Sequence, residues 1–308
     1  MADITASMVK DLREASGAGM MDCKSALNET GGEIQEALDW LRTKGLSKAA
    51  KKSSRVAAEG LVVVATADNF GAVVEVNSET DFVARNETFQ SMATDIAQCA
   101  VATRGDHAAL LAAQYPGADK SIEEHVQEMV GTIGENMNVR RSDSLSVSEG
   151  IVAAYMHNKV IDNAGKIGVL IALESSGDKA ALQALGHQLA MHVAATAPLA
   201  AHLSDLKADD VERERAVLIG EAKESGKPEE IIEKMVEGRL RKFYEDVVLE
   251  MQTFVIDGET KIEKVIANAA KECGAEITLK GFIRFELGQG VDKGEQTDFA
   301  DEVAALGG

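Results

Sequence analysis

The sequence predicts an α+β chain of more than one domain, and three observations carry that prediction. Alanine-rich stretches with apolar residues at helical spacing recur along the chain. Between them, apolar runs rich in Val and Ile occur in pairs around short turns, which is the mark of β-hairpins. Only three prolines but 27 glycines occur in 308 residues, so the breaks between elements fall to glycine. At that length, and with 45% apolar composition, there is material for two or more cores.

The elements follow in order. Ile4, Met8, Leu12 and Ala15 recur at helical spacing behind Thr5, a capping candidate, and Gly17 and Gly19 stop the pattern. A second helix begins near Met21 or Asp22 and ends at Gly31 and Gly32, and a third, EIQEALDWLRTKG, stacks Ile34, Leu38 and Leu41 before Gly45. Residues 1–45 therefore read as a three-helix module, too small to bury much by itself and suited to docking. The basic, serine-containing stretch 46–59 reads as a linker, either a tether or a solvated helix.

From Gly60 the period changes. GLVVVATADNFGAVVEVN is a hairpin signal, and the helix FQSMATDIAQCAVAT follows. The same order returns in GIVAAYMHNKVIDNAGKIGVLIALE and ALQALGHQLAMHVAAT, so the core is an internal repeat of two related α+β subdomains, 60–146 and 147–290. Between the copies, IEEHVQEMVG reads as a helix, NMNVRRSDSLSV as a strand, and 104–120 as a surface excursion. A helical hairpin spans about 205–248, with a Lys227-Pro228 turn and Pro228 suited to a first helical turn. Its row of Val217, Ile231, Ile232 and Met235 can pack against the body or a second copy. The chain returns through VLEMQTFV, a helix at 260–273 and the alternating strand TLKGFIRFEL, and closes with a C-terminal module, 291–308, whose helix opens at TDFADEVAAL.

Composition narrows the function. The net charge is −19, and residues 60–308 hold 23 Lys/Arg against 42 Asp/Glu, a surface that repels phosphate backbones. Direct nucleic-acid binding is disfavoured. Cys23, Cys99 and Cys273 are odd in number and far apart, which fits neither a disulfide framework nor a zinc ribbon and suits a reducing compartment. The N-terminal stretch is charged and lacks the apolar core of a leader, and no 18-residue apolar run occurs; the expectation is a cytoplasmic protein without a membrane partner. No catalytic constellation emerges. His187 and His192 are five apart in an apolar helix, off the spacing that pairs two ligands on one face. GAGMMDCK lacks the strand and the G-K-[ST] ending of a phosphate loop, and Cys23 has no histidine to activate it. The chain reads as a non-enzyme needing no cofactor.

One loop stands out. Gly71 to Thr103 is 32 steps, whereas the matching Gly168 to Thr196 is 28, and the surplus falls between strand and helix, in NSETDFVARNE. Two readings of Thr80, Asp81, Phe82 and Val83 stay open: a helix cap with Phe82 covering the first turn, as TDFA at 297–300 opens the last helix, or a binding loop carrying an aromatic.

Five stretches, ITASMVKDLREASGAGMMDCKSAL, NSETDFVARNETF, IGENMNVRR, SGKPEEIIEKMVEGRLRKF and GFIRFELGQG with the later TDFADEVAAL, resemble bacterial elongation factor Ts proteins in order along the whole chain. Residues 104–120 depart from that family in being longer. The resemblance implies a module like ubiquitin-associated domains at 1–45, a two-subdomain core, a hairpin used in dimerisation and a C-terminal module. It further implies elongation factor Tu as partner and expulsion of GDP from it. Asp81 and Phe82 would enter between helices of that GTPase and disturb its magnesium site, with Asp81 either pairing with the partner or only orienting the loop. By the same resemblance Lys24, Ile133, Gly134, Asn136, His157, Val255 and Ile256 would touch the partner. The rival reading is a noncatalytic scaffold.

Overall fold

The structure is a computed structural model that describes residues 4–16, 18–224 and 228–292. Nearly all of the predicted C-terminal module, including TDFADEVAAL, and Lys227 of the hairpin turn lie outside the described residues.

The N-terminal helices are α1 (Ala6–Ser16), α2 (Met20–Glu29) and α3 (Ile34–Lys52). They close around Leu12, Cys23, Ala26, Leu27 and Ala37. The first copy of the core comprises β1 (Glu59–Ala67), β2 (Phe70–Ser78), α4 (Asp81–Ala84), α5 (Glu87–Ala102), α6 (His107–Ala112), α7 (Ile122–Ile133) and β3 (Met137–Ser146). The second comprises β4 (Gly150–Ile161), β5 (Ala164–Glu174), α8 (Lys179–Thr196), the hairpin α9 (Ala208–Glu224) and α10 (Glu229–Val247), then α11 (Ile262–Cys273) and β6 (Thr278–Glu286).

The fold is α+β, as the sequence predicts, and all strands pair antiparallel in the order β3-β2-β1-β5-β4. β4 occupies one edge of β5. The other edge is shared, with Gly165 and Ala164 against β1 and residues 167–174 against β6. That division curls the sheet. Helices of each copy cover one face, and the inner faces of the two copies enclose a separate core of Val62, Val64, Val73, Val152, Leu170 and Phe285. Two glycines let the copies meet. A Cβ on Gly71 would lie 2.7 Å from Val152, and one on Gly168 would lie 2.7 Å from Val62, so each copy presses a valine into the other's glycine.

The repeat extends further than the sequence pattern indicates. α7 with β3 matches α11 with β6: each helix follows an isolated bridge, Gln114 to Ser121 and Thr253 to Lys261, and each ends at a left-handed glycine, Gly134 or Gly274. Residues 104–120 thus occupy the position where the second copy carries its hairpin. They are more than a surface excursion. Leu110 is fully buried, and the Tyr115 ring stacks on His125 at 3.7 Å while its hydroxyl donates to Asp95 at 2.8 Å.

α3 also corrects the sequence reading. It passes through Gly45 and takes up half of the predicted linker, because Gly45 is a contact and not a stop: α3 crosses α7 so closely that a Cβ on Gly131 would lie 2.7 Å from the Gly45 Cα. Arg42 and Lys120, both paired with Glu128 of α7, flank the crossing.

The hairpin helices pack through Leu218, Ala222, Val236 and Leu240. Pro228 stands at the cap of α10, one position before the first turn. The predicted apolar row divides: Ile232 joins the seam, whereas Val217 and Ile231 are about half exposed.

Candidate functional site

β2 runs buried along its whole length to Ser78 and delivers the chain to Glu79 and Thr80, after which α4 makes a single turn. Such a turn has no stability of its own and must be held by its surroundings. Its inner side, Val83 and Ala84, sits in the first core. Gln90 donates to the Ala84 carbonyl at 3.0 Å, and Asn86 caps α5 by accepting from the backbone of Thr88 and Phe89. The helix cap is therefore Asn86, and neither Thr80 nor Asp81 is needed for it.

Thr80 turns elsewhere. Its N–H donates to Glu135 Oε2 at 2.9 Å and its hydroxyl to Glu135 Oε1 at 2.7 Å. Asn136 N–H in turn donates to Glu79 Oε1 at 2.6 Å, and the Asn136 amide donates to the Arg55 carbonyl at 2.7 Å. Arg55 lies 3.4 Å from Glu79, and Lys52 at the end of α3 donates to the Gly134 carbonyl. On the outer side Asp81 pairs with Arg85 at 3.3 Å, an exposed contact worth a few tenths of a kcal/mol, roughly. Phe82 remains. Its side chain is 77% exposed, the most exposed large apolar side chain among the described residues. The capping of α5 thus falls to Asn86, and Phe82 stays mostly exposed.

The structure brings Thr80, Asp81, Phe82 and Val83 together with Ile133, Gly134 and Asn136. Within that group Val83 and Asn136 are buried and serve the loop's support, and Ile133 packs against the first core. The other predicted positions lie on separate elements. Lys24 is exposed on α2, beside exposed Met20 and Met21. His157 is exposed on β4, within the strand and not in its turn, with Nδ1 at 3.1 Å from the Tyr155 hydroxyl. Val255 and Ile256 are about half exposed before α11.

The Val255 loop has a buried support of its own. His192 Nδ1 accepts from the Val255 N–H at 3.2 Å, so Nε2 carries the proton and donates to Gln252 Oε1 at 2.8 Å. Burial pushes the His192 pKa below its ordinary value, against the pull of the Gln252 bond, and keeps the ring neutral. The residues that sequence reasoning missed are Glu79, Glu135, Arg55 and Lys52. They sit in or near quoted motifs, but an acidic residue in a loop reads as solvated, and nothing in the spacing pairs residue 79 with residue 135.

No group of three or more His, Cys, Asp or Glu side chains among the described residues is placed to hold a metal ion. Nor is any described helix long and apolar enough to cross a membrane.

Comparison with known proteins gives the family. Residues 79–289 match the family model for Elongation factor TS, a span that begins at the carboxylate beside Thr80. The chain belongs to the elongation factor Ts family. Elongation factor Ts of Parvibaculum lavamentivorans is 62% identical over 305 residues, covering 99% of both chains. The elongation factor Ts proteins of Rhodospirillum rubrum and Rhodospirillum centenum are 58% and 56% identical, over 99% and 100% of both chains. For an elongation factor Ts, a protein of translation elongation, the relatives cover what the family model leaves out, including the N-terminal helices.

Proposed function

We propose that the chain is a guanine-nucleotide exchange factor for elongation factor Tu, acting in the cytoplasm and catalysing no chemical reaction itself. The observation that carries this reading is the exposed Phe82 on a turn held from three sides. An aromatic kept out of water only by a partner contributes about 1.5–3 kcal/mol when buried there, and a rigid mount loses little entropy on docking. Phe82 and Asp81 would enter between helices of the GTPase and displace groups that support its magnesium. Magnesium demands near-ideal octahedral oxygen geometry, so a small displacement weakens it and the GDP it bridges.

The factor would bind the nucleotide-free GTPase more tightly than the GDP form. Linkage then requires GDP and factor to weaken each other equally, and GTP entry to expel the factor. Lys24, Gly134, His157, Val255 and Ile256 would supply further partner contacts, with Ile133 and Asn136 behind them. Exposed Val217 and Ile231 on the hairpin would suit a second copy, giving a 2:2 complex with elongation factor Tu.

The test is stopped-flow release of a fluorescent GDP analogue from elongation factor Tu. Substoichiometric wild-type chain should accelerate release, and folded Phe82→Ala should lose most of that acceleration. Equal activity of Phe82→Ala and wild type would remove the wedge, and no acceleration by either would favour the scaffold reading.

A further inference from the structure

Glu79 and Glu135 lie in different motifs, and each accepts the backbone N–H of the residue that follows the other: Thr80 donates to Glu135, and Asn136 donates to Glu79. The exchange is reciprocal. Thr80 is the last extended residue before α4, with φ −124° and ψ 158°, so its backbone sets the direction in which the turn, and Phe82 two residues on, leaves the sheet. Both its donors are taken by one carboxylate, at 2.9 and 2.7 Å. An acceptor-only group with two oxygens can do this, and a bond to a charged acceptor is stronger than a neutral one. Glu79 is anchored in turn by Arg55, whose carbonyl takes the Asn136 amide. The core holds the inner side of the turn through Val83 and Ala84, and these bonds fix the end at which it leaves the strand, which a single helical turn cannot fix by itself.

We propose that Glu135 and Glu79 are positioning residues for Phe82, forming a two-carboxylate clasp that fixes the wedge in its outward, binding-ready orientation. The proposal rests on the exchange reading for its consequence, though not for the clasp itself. Glu135 would touch neither nucleotide nor magnesium; it acts through Thr80.

Two measurements on the full chain separate these levels. The first needs no partner: hydrogen–deuterium exchange of the segment around 78–86. Glu135→Ala should raise exchange there by roughly tenfold or more, the effect of losing bonds to a charged acceptor. Glu135→Gln, whose amide can still accept from the Thr80 N–H and donate to its hydroxyl, should stay close to wild type. Thr80→Val, which removes only the hydroxyl, should fall between them and keeps the test open if Glu135→Ala does not fold. Unchanged protection in both Glu135→Ala and Thr80→Val, or in Thr80→Val alone if Glu135→Ala does not fold, would overturn the clasp.

The second is GDP release from elongation factor Tu at saturating factor. Glu135→Ala should slow maximal release by about tenfold, with little change in the concentration for half-maximal effect, and Glu135→Gln should restore it. A loosened loop with undiminished maximal release would overturn the positioning role. If wild type itself accelerates nothing, the exchange reading fails and takes the positioning role with it, while the exchange of residues 78–86 still decides whether the clasp exists.

Discussion

At the scale of single residues, the loop separates what holds from what is offered. Val83 and Ala84 are buried and Phe82 is not, so Phe82→Ala should change unfolding free energy by less than about 0.5 kcal/mol, measured by denaturant titration, while its effect on a partner is large. His192 gives a pH prediction. Its folded pKa is depressed by burial, so between the unfolded value of about 6.5 and that lower value the unfolded chain binds more protons. Stability from this residue is therefore full above about pH 6.5 and falls as pH drops through the window. His202 runs the other way: burial pulls its pKa down, but the Glu250 carboxylate at 2.7 Å and the Leu279 carbonyl outweigh it, and its contribution fades as pH rises. Comparing wild type with His192→Gln isolates the first term, and the variant should lose less stability between about pH 7 and pH 5.5. Phe82 was legible in the sequence because the two copies differ in length at that point. Glu79 and Glu135 were not, since hydrogen bonding between distant loops leaves no periodicity to read.

At the scale of elements, the crossing of α3 and α7 is asymmetric in a testable way. A Cβ on Gly45 would meet the Gly131 Cα at 3.8 Å, an ordinary contact, whereas a Cβ on Gly131 would meet Gly45 backbone at 2.7 Å. Gly45→Ala should be neutral or stabilising by up to about 1 kcal/mol through helix propensity. Gly131→Ala should destabilise by about 1–3 kcal/mol, because backbone and not a flexible side chain must move. Thermal unfolding of the two variants checks the sign difference. The same glycine explains what the sequence concealed. Strands were readable because apolar runs flank short turns, and β1, β2, β4 and β5 lie where those runs fall, while β6 lies where alternation was read. A glycine inside a helix, chosen for close approach, carries the same letter as a glycine that ends one. The buried parts of 104–120 were hidden because Leu110 and Tyr115 pack against distant partners, not along a local stripe.

At the scale of the whole molecule, the two copies are held by reciprocal glycine–valine contacts across the inner core. Gly168→Ala places a Cβ 2.7 Å from Val62 and 3.2 Å from Val64, so overpacking should cost about 1–3 kcal/mol. It should also raise hydrogen exchange at the β1–β5 junction, where two register pairs and the bond from the Val64 N–H to the Asn163 carbonyl join the copies, more than within α9 or α10. Undisturbed exchange at that junction would mean that the copies are held together elsewhere.

The hairpin leaves and rejoins the second copy at one place. Ala200 bridges Val248, Leu199 donates to the Val247 carbonyl, and Leu249 donates to the Ala200 carbonyl, while the apolar seam of the hairpin closes on itself. Its two ends are stapled side by side, at the position where the first copy makes do with a short connection. The hairpin is thus an appendage inserted at a single node of a duplicated scaffold, and such a node can gain, lose or exchange a stalk while the sheet beneath keeps its connectivity.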